Sequence, residues 1–253
     1  MNMVMARLSQ RPKLRFSKFK GMKFAKILRF ILLLLLVIAG LAALSQEKNQ
    51  PMIWMEATQK TAFTERFSTT LLFQRRVFLD LENTHQHIYW LSGNYKLAPS
   101  VTVGGGLIYF TYHRAVGEEY SSIPEYRPFQ YITLSHRLLG ASFSLRAMIE
   151  ERYMSEISDG EVHRGSKFNT RYRMRLKSLI PIYQQLQLEL SNELLLNGHH
   201  LPTDLFGQNR AIARAKYKTG KWEISGGFLH WLVNTSAGKE HRPTGLLGVG
   251  FKL

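Results

Sequence analysis

Charged side chains recur at every second position in several segments of this chain. Arg171, Arg173, Arg175 and Lys177 alternate with an apolar set, Phe168, Tyr172, Met174 and Leu176. Arg210, Arg214, Lys216 and Lys218 alternate with Ala211, Ala213, Ala215 and Tyr217. Between them, Glu189 and Glu193 share a face with Gln187 and Ser191, opposite Leu186, Leu188 and Leu190. Upstream, Arg146, Glu150 and Arg152 lie with Ser142 and Ser144, opposite Leu145, Ala147, Ile149 and Tyr153. A period of two puts each set on one face of a β-strand. An arginine row beside a glutamate row falls within reach of cross-strand pairing. Two chemistries fit: a packed, mutually neutralising interior, or a path that favours anions. With Glu223 added, these rows hold ten basic and four acidic residues, so an open passage would prefer anions.

Nucleophilic catalysis needs a hydroxyl held against a histidine base. Ser135 and His136 are neighbours on a predicted strand and would point to opposite sides of it. His230 lies between Leu229 and Trp231, and His199-His200 with Asp204 is too sparse a set to assign a metal. No catalytic, cofactor-binding or metal-binding residue is assigned. Gly104-Gly105-Gly106 sits inside a strand with no helix after it, which suits a bend or close packing rather than a phosphate loop. Asn234-Thr235-Ser236 matches a glycosylation acceptor only formally.

The elements that must position these rows are strands. Apolar alternation predicts them at about 66–79, 85–98, 100–114, 126–138, 141–154, 166–179, 184–197, 207–219, 222–234 and 244–253, ten in all, each long enough to cross a bilayer when tilted. The connections alternate in length. Turns at 98–100, 139–141, 180–183 and 219–221 are tight, whereas 115–125, 155–165, 198–206 and 235–243 are long and polar, as in outer-membrane barrels. Ten strands would leave both ends in the periplasm. Residues 46–65 are expected to be a periplasmic or lumenal segment or an extra strand, Ile53–Ala62, with twelve strands as the alternative count. The last strand sets Leu247, Val249, Phe251 and Leu253 against Leu246, Gly248, Gly250 and Lys252, the pattern of a C-terminal insertion strand. Tyr153, Tyr217, Trp222 and Trp231 suit interfacial girdles. A soluble barrel of the lipocalin type would need the opposite facing, with the arginines outside.

Residues 1–45 hold nine basic and no acidic residues, followed by an apolar run from Phe30 to Leu44. Small residues at Ala43 and Ser45 place a cleavage site before Gln46, so the segment is predicted to be a secretory signal peptide, with a true start at Met22 as an option. The run of 15 residues is short for a membrane anchor. The chain carries 34 basic and 18 acidic residues, a formal +16; removing the nine leader charges leaves +7, which is not a nucleic-acid-binding composition. The absence of cysteine excludes disulfides and thiolate metal sites.

The ordered segments Leu145-Arg146-Ala147-Met148-Ile149-Glu150-Glu151-Arg152-Tyr153, Arg171-Tyr172-Arg173-Met174-Arg175-Leu176, Ser191-Asn192-Glu193-Leu194 and Gln208-Asn209-Arg210 resemble the signature of an uncharacterised family of predicted outer-membrane barrels, domain of unknown function twenty-four-ninety. The resemblance runs from about Trp54 onward and implies a Gram-negative, Bacteroidota-type outer-membrane barrel. It implies no activity and no cofactor. The expected protein is therefore an all-β antiparallel transmembrane barrel over 66–253, inserted by the barrel-assembly machinery into outer-membrane lipid. Its expected role is structural or partner-binding through external loops; a narrow anion-preferring pore comes second and a lipid-modifying enzyme a distant third.

Overall fold

The computed structural model describes residues 50–79, 85–116, 119–158, 161–198, 205–236 and 238–253. The predicted leader lies outside these residues, as does most of the 198–206 connection with His199, His200 and Asp204. Eleven strands close into one barrel. They are β1 (Met52–Ala62), β2 (Phe67–Phe78), β3 (His85–Ala98), β4 (Val101–Val116), β5 (Glu119–Leu138), β6 (Ala141–Ser158), β7 (Glu161–Tyr183), β8 (Leu186–Asn197), β9 (Phe206–Thr219), β10 (Trp222–Thr235) and β11 (Gly238–Lys252).

The all-β barrel is as expected, but the count of ten is corrected to eleven. The additional strand is β1, inside the segment left open between a strand and a lumenal stretch. It contains the optional strand Ile53–Ala62, which the even count expected of an outer-membrane barrel argues against. Each hairpin reverses direction, so an odd count brings the first and last strands side by side in the same sense. β1 accordingly pairs parallel to β11, Met52 with Thr244 through Lys60 with Lys252, while every other neighbouring pair is antiparallel. The expectation of both ends on one side is corrected with it. The Gln50 N–H donates to the His241 carbonyl at 2.9 Å, at the end with the longer connections, whereas the Leu253 N–H donates to the Lys60 carbonyl at 2.9 Å, at the tight-turn end.

Three connections predicted to be long, 115–125, 155–165 and 235–243, are mostly strand, the last because β11 begins at Gly238. β5 is 20 residues and β7 is 23, so every described residue of 115–125 and 155–165 lies in a strand. Pro124 and Pro128 within β5 and the polar run before Phe168 in β7 hide the ladder, because alternation fades where neither face is apolar. Pro128 does leave a gap in pairing: Tyr126 pairs with Tyr153, and the next β5–β6 pair is Phe129 with Glu150. At the other end, Leu139 and Gly140 both take positive φ (52° and 82°), the mirror-image turn that matches strand twist.

Large apolar side chains cover the outside of the wall: Leu176 and Leu247 are each 58% exposed. Inside, two apolar clusters pack among polar groups. One joins Met52, Trp54, Phe78, Leu229, Trp231, Val233 and Leu246; the other joins Ile88, Ile108, Phe129 and Met148. Trp231 therefore points inward rather than to a girdle, because it shares parity with Leu229 and Val233. On the outside, paired positions Phe73, Tyr89, Tyr109, Tyr126, Tyr153 and Phe168 form an aromatic row climbing across six strands.

The triple glycine on β4 serves close packing. A Cβ on Gly106 would lie 1.9 Å from the Leu91 carbonyl oxygen of β3, whereas one on Gly245 would meet nothing within 4 Å. Gly106→Val is expected to destabilise the barrel by about 2 kcal/mol or more and Gly245→Ala by under about 0.5 kcal/mol, measured by denaturant unfolding in detergent micelles. Equal effects would contradict this register.

Candidate functional site

Strand parity turns all the predicted charged rows inward, where β6, β7, β8 and β9 stand side by side. Glu150 is 0% exposed and accepts from Arg173 at 2.5 Å. The same guanidinium donates to Glu193 at 2.7 Å. Glu193 also takes Arg146 at 2.9 Å and lies 3.7 Å from Arg210, so one carboxylate gathers arginines from β6, β7 and β9. Such charge-assisted bonds are the strong class of hydrogen bond. Arg152 donates to Glu125 at 2.5 Å, and Arg127 donates to the same carboxylate at 2.8 Å. Arg214 pairs with Glu56 of β1. Nearer the tight turns, Lys216 bridges Glu189 at 3.0 Å and Glu223 at 3.1 Å, with Lys218 3.8 Å from Glu223.

The partners differ from simple opposition. Arg175 is directly opposite Glu193 in the ladder, yet Glu193 binds Arg173 and Arg146 instead. Long side chains lean along the strand, so diagonal pairs win over facing ones. Among the described residues, Arg171, Arg175 and Lys177 form no ion pair. The interior thus keeps a cationic surplus along β7.

A second device lies toward the end with the longer connections. Trp54 and Trp231 meet edge-to-face with centroids 5.2 Å apart. Arg76 sits 3.8 Å over Trp54, while Arg210 and Arg242 lie 4.9 Å and 5.0 Å over Trp231. Indole faces carry negative quadrupole charge and so supplement the carboxylates Glu193 and Glu240 that lie by Arg210 and Arg242. Opposite them, Phe129 is 2% exposed against Trp90, with centroids 4.2 Å apart. Toward the tight turns the packing loosens to a cavity of about 80 Å³ whose lining includes Glu56, Lys60, Lys216, Glu223 and Lys252.

The sequence missed Arg76, Arg127, Glu125, Glu56 and the Glu240–Arg242 pair at 2.8 Å, because their strands mix apolar and polar residues on the inner face. Leu247, Val249 and Leu253 of the last strand are exposed on the outer wall, and Phe251 meets Trp222 with centroids 4.6 Å apart. Also on the outer wall, His230 Nε2 lies 2.9 Å from His241 Nδ1, and His85, His87 and His113 bring one ring nitrogen each to within 4.8 Å of the others. His85-Gln86-His87 is a readable signal for two imidazoles on one face; the third needs the β3–β4 register. Ser135 and His136 occupy successive positions of β5 and so opposite faces.

Removing a carboxylate that serves several buried cations leaves them uncompensated. Glu193→Ala is expected to cost roughly 3–5 kcal/mol of stability. Glu156→Ala, which breaks the exposed pair with Lys167 at 3.1 Å (Glu156 side chain 49% exposed), is expected to cost under about 1 kcal/mol. Urea unfolding in micelles, followed by tryptophan fluorescence, distinguishes the two; a Glu193 effect as small as that of Glu156 would mean the network is hydrated.

No curated protein and no solved structure matches the chain. A family model described as Protein of unknown function (DUF2490) matches residues 52–242, from the first residue of β1 into β11. With most of the barrel covered by that match, the chain belongs to the DUF2490 family.

Proposed function

We propose that this protein is an integral outer-membrane barrel, exported behind a cleaved leader and inserted by the barrel-assembly machinery. Its interior is filled rather than open, and its role is structural or partner-binding through the longer connections. The observation that carries the reading is the facing of the wall: guanidinium and carboxylate groups inside, and a continuous exposed surface of leucine, isoleucine, phenylalanine and tyrosine outside. Water would penalise an apolar surface of that extent, and lipid would not. Aromatic side chains support the same placement. Phe67, Tyr95, Tyr217, Trp222 and Phe251 lie toward the tight-turn end, while Tyr89, Tyr109, Tyr126 and Tyr172 lie toward the other.

The filled interior is supported by Glu150, Phe129, Trp54 and Trp231, all buried within the barrel. A barrel of this size is only slightly wider than its own side chains. A second reading, a narrow anion-preferring pore, is favoured by the unpaired Arg171, Arg175 and Lys177 on one wall. No catalytic role is proposed, since the adjacent Ser135 and His136 face apart.

Cell fractionation is expected to leave the protein in the outer-membrane fraction, with an electrophoretic shift between unheated and boiled samples. A folded monomer in detergent-free buffer would overturn the membrane reading. In planar bilayers the purified protein is expected to give no resolved conductance steps. A steady anion-selective current would replace the filled reading with the pore.

A further inference from the structure

We propose that His85, His87 and His113 form a binding site for a divalent d-block cation of the zinc class on the outer wall of the barrel. The site is at the end that carries the longer connections. It depends only on the β3–β4 register and so stands apart from the membrane reading.

His85 and His87 are two residues apart on β3 and share its outer face. His113 of β4 is paired directly with His85, and His87 is paired with Thr111. The His85 and His113 rings stack with centroids 4.5 Å apart and planes 11° apart. The His87 ring lies 4.9 Å from His85 and 5.1 Å from His113. One ring nitrogen from each residue falls within 4.8 Å of the other two. A zinc ion with Zn–N bonds of about 2.0–2.1 Å holds tetrahedral ligand nitrogens on the order of 3.3 Å apart. The nitrogens must therefore close by on the order of 1.5 Å at most, within reach of χ1 and χ2 rotation on a fixed ladder.

The donor set selects the ion. Three neutral imidazoles suit zinc, copper or nickel and do not suit calcium or magnesium, which take oxygen ligands. The Thr111 hydroxyl lies 2.9 Å from His113 Nε2 and holds that ring's orientation. A fourth position remains for water or an anion. Arg75, paired with His87 from β2, faces the same side, and its charge holds the affinity below that of an isolated three-histidine site. Clustering three imidazoles beside an arginine is electrostatically unfavourable whenever they are protonated; a bound cation that requires the neutral rings gives the cluster a favourable state.

The test uses the full-length protein in detergent micelles, stripped of metal with a chelator and titrated with zinc chloride by calorimetry. One equivalent is expected to bind saturably. His87→Ala and His113→Ala are each expected to weaken that binding by about tenfold or more. His230→Ala/His241→Ala and His199→Ala/His200→Ala, which alter the other histidine groups, are expected to leave it unchanged. Cobalt(II) in place of zinc should give visible absorption that the His87 and His113 variants lose. Absence of saturable binding would overturn the proposal, as would binding that survives His85→Ala/His87→Ala or disappears with His199→Ala/His200→Ala. If the variants fail to fold, chemical modification of histidine in the unaltered protein decides. Zinc-dependent protection of His85, His87 and His113 is expected, and equal labelling with and without zinc would overturn the site.

Discussion

Closure of the hydrogen-bonded ladder is the constraint from which everything else follows. A sheet with eleven strands and no free edge can exist only if β1 runs parallel beside β11, so that every strand has two neighbours. An open edge would leave a row of unpaired N–H and C=O groups, which is costly in water and far more so in hydrocarbon. Once the sheet is closed, each residue is either inside or outside, and the period of two assigns them without further choice.

The interior that results is not a hydrocarbon core. Burying a charge is unfavourable unless it is paired and hydrogen-bonded, and the barrel meets that condition in two ways. Carboxylates are shared: Glu193 serves Arg146 and Arg173, and Glu125 serves Arg127 and Arg152. Indole rings add to this, with Arg76, Arg210 and Arg242 arranged around Trp54 and Trp231, while Arg171, Arg175 and Lys177 form no ion pair among the described residues. Because Glu193 and Glu125 each hold several bases, the network is held by a few residues from many strands. That ties neighbouring registers together more tightly than separate pairs would.

The two ends of the barrel differ in the same terms. Aromatic and guanidinium packing fills the end with the longer connections, whereas lysines and Glu223 line a cavity toward the tight turns. The outer wall changes character along its length as well. Apolar residues give way above the tyrosines to His85, His87 and His113.

The sequence by itself determined the strand class, the facing of β6 to β9 and of the C-terminal strand, and most turns, because alternation and turn residues such as Gly140 and Gly220 act within a few positions of one another. It also carried the family signature. Tertiary structure alone decided the count of eleven, the parallel seam, the inward Trp231, the diagonal partners of Glu193 and the meeting of His113 with His85 and His87. These depend on register between strands distant in sequence, and period-two alternation is identical for a strand paired in one register and for the same strand shifted by two residues.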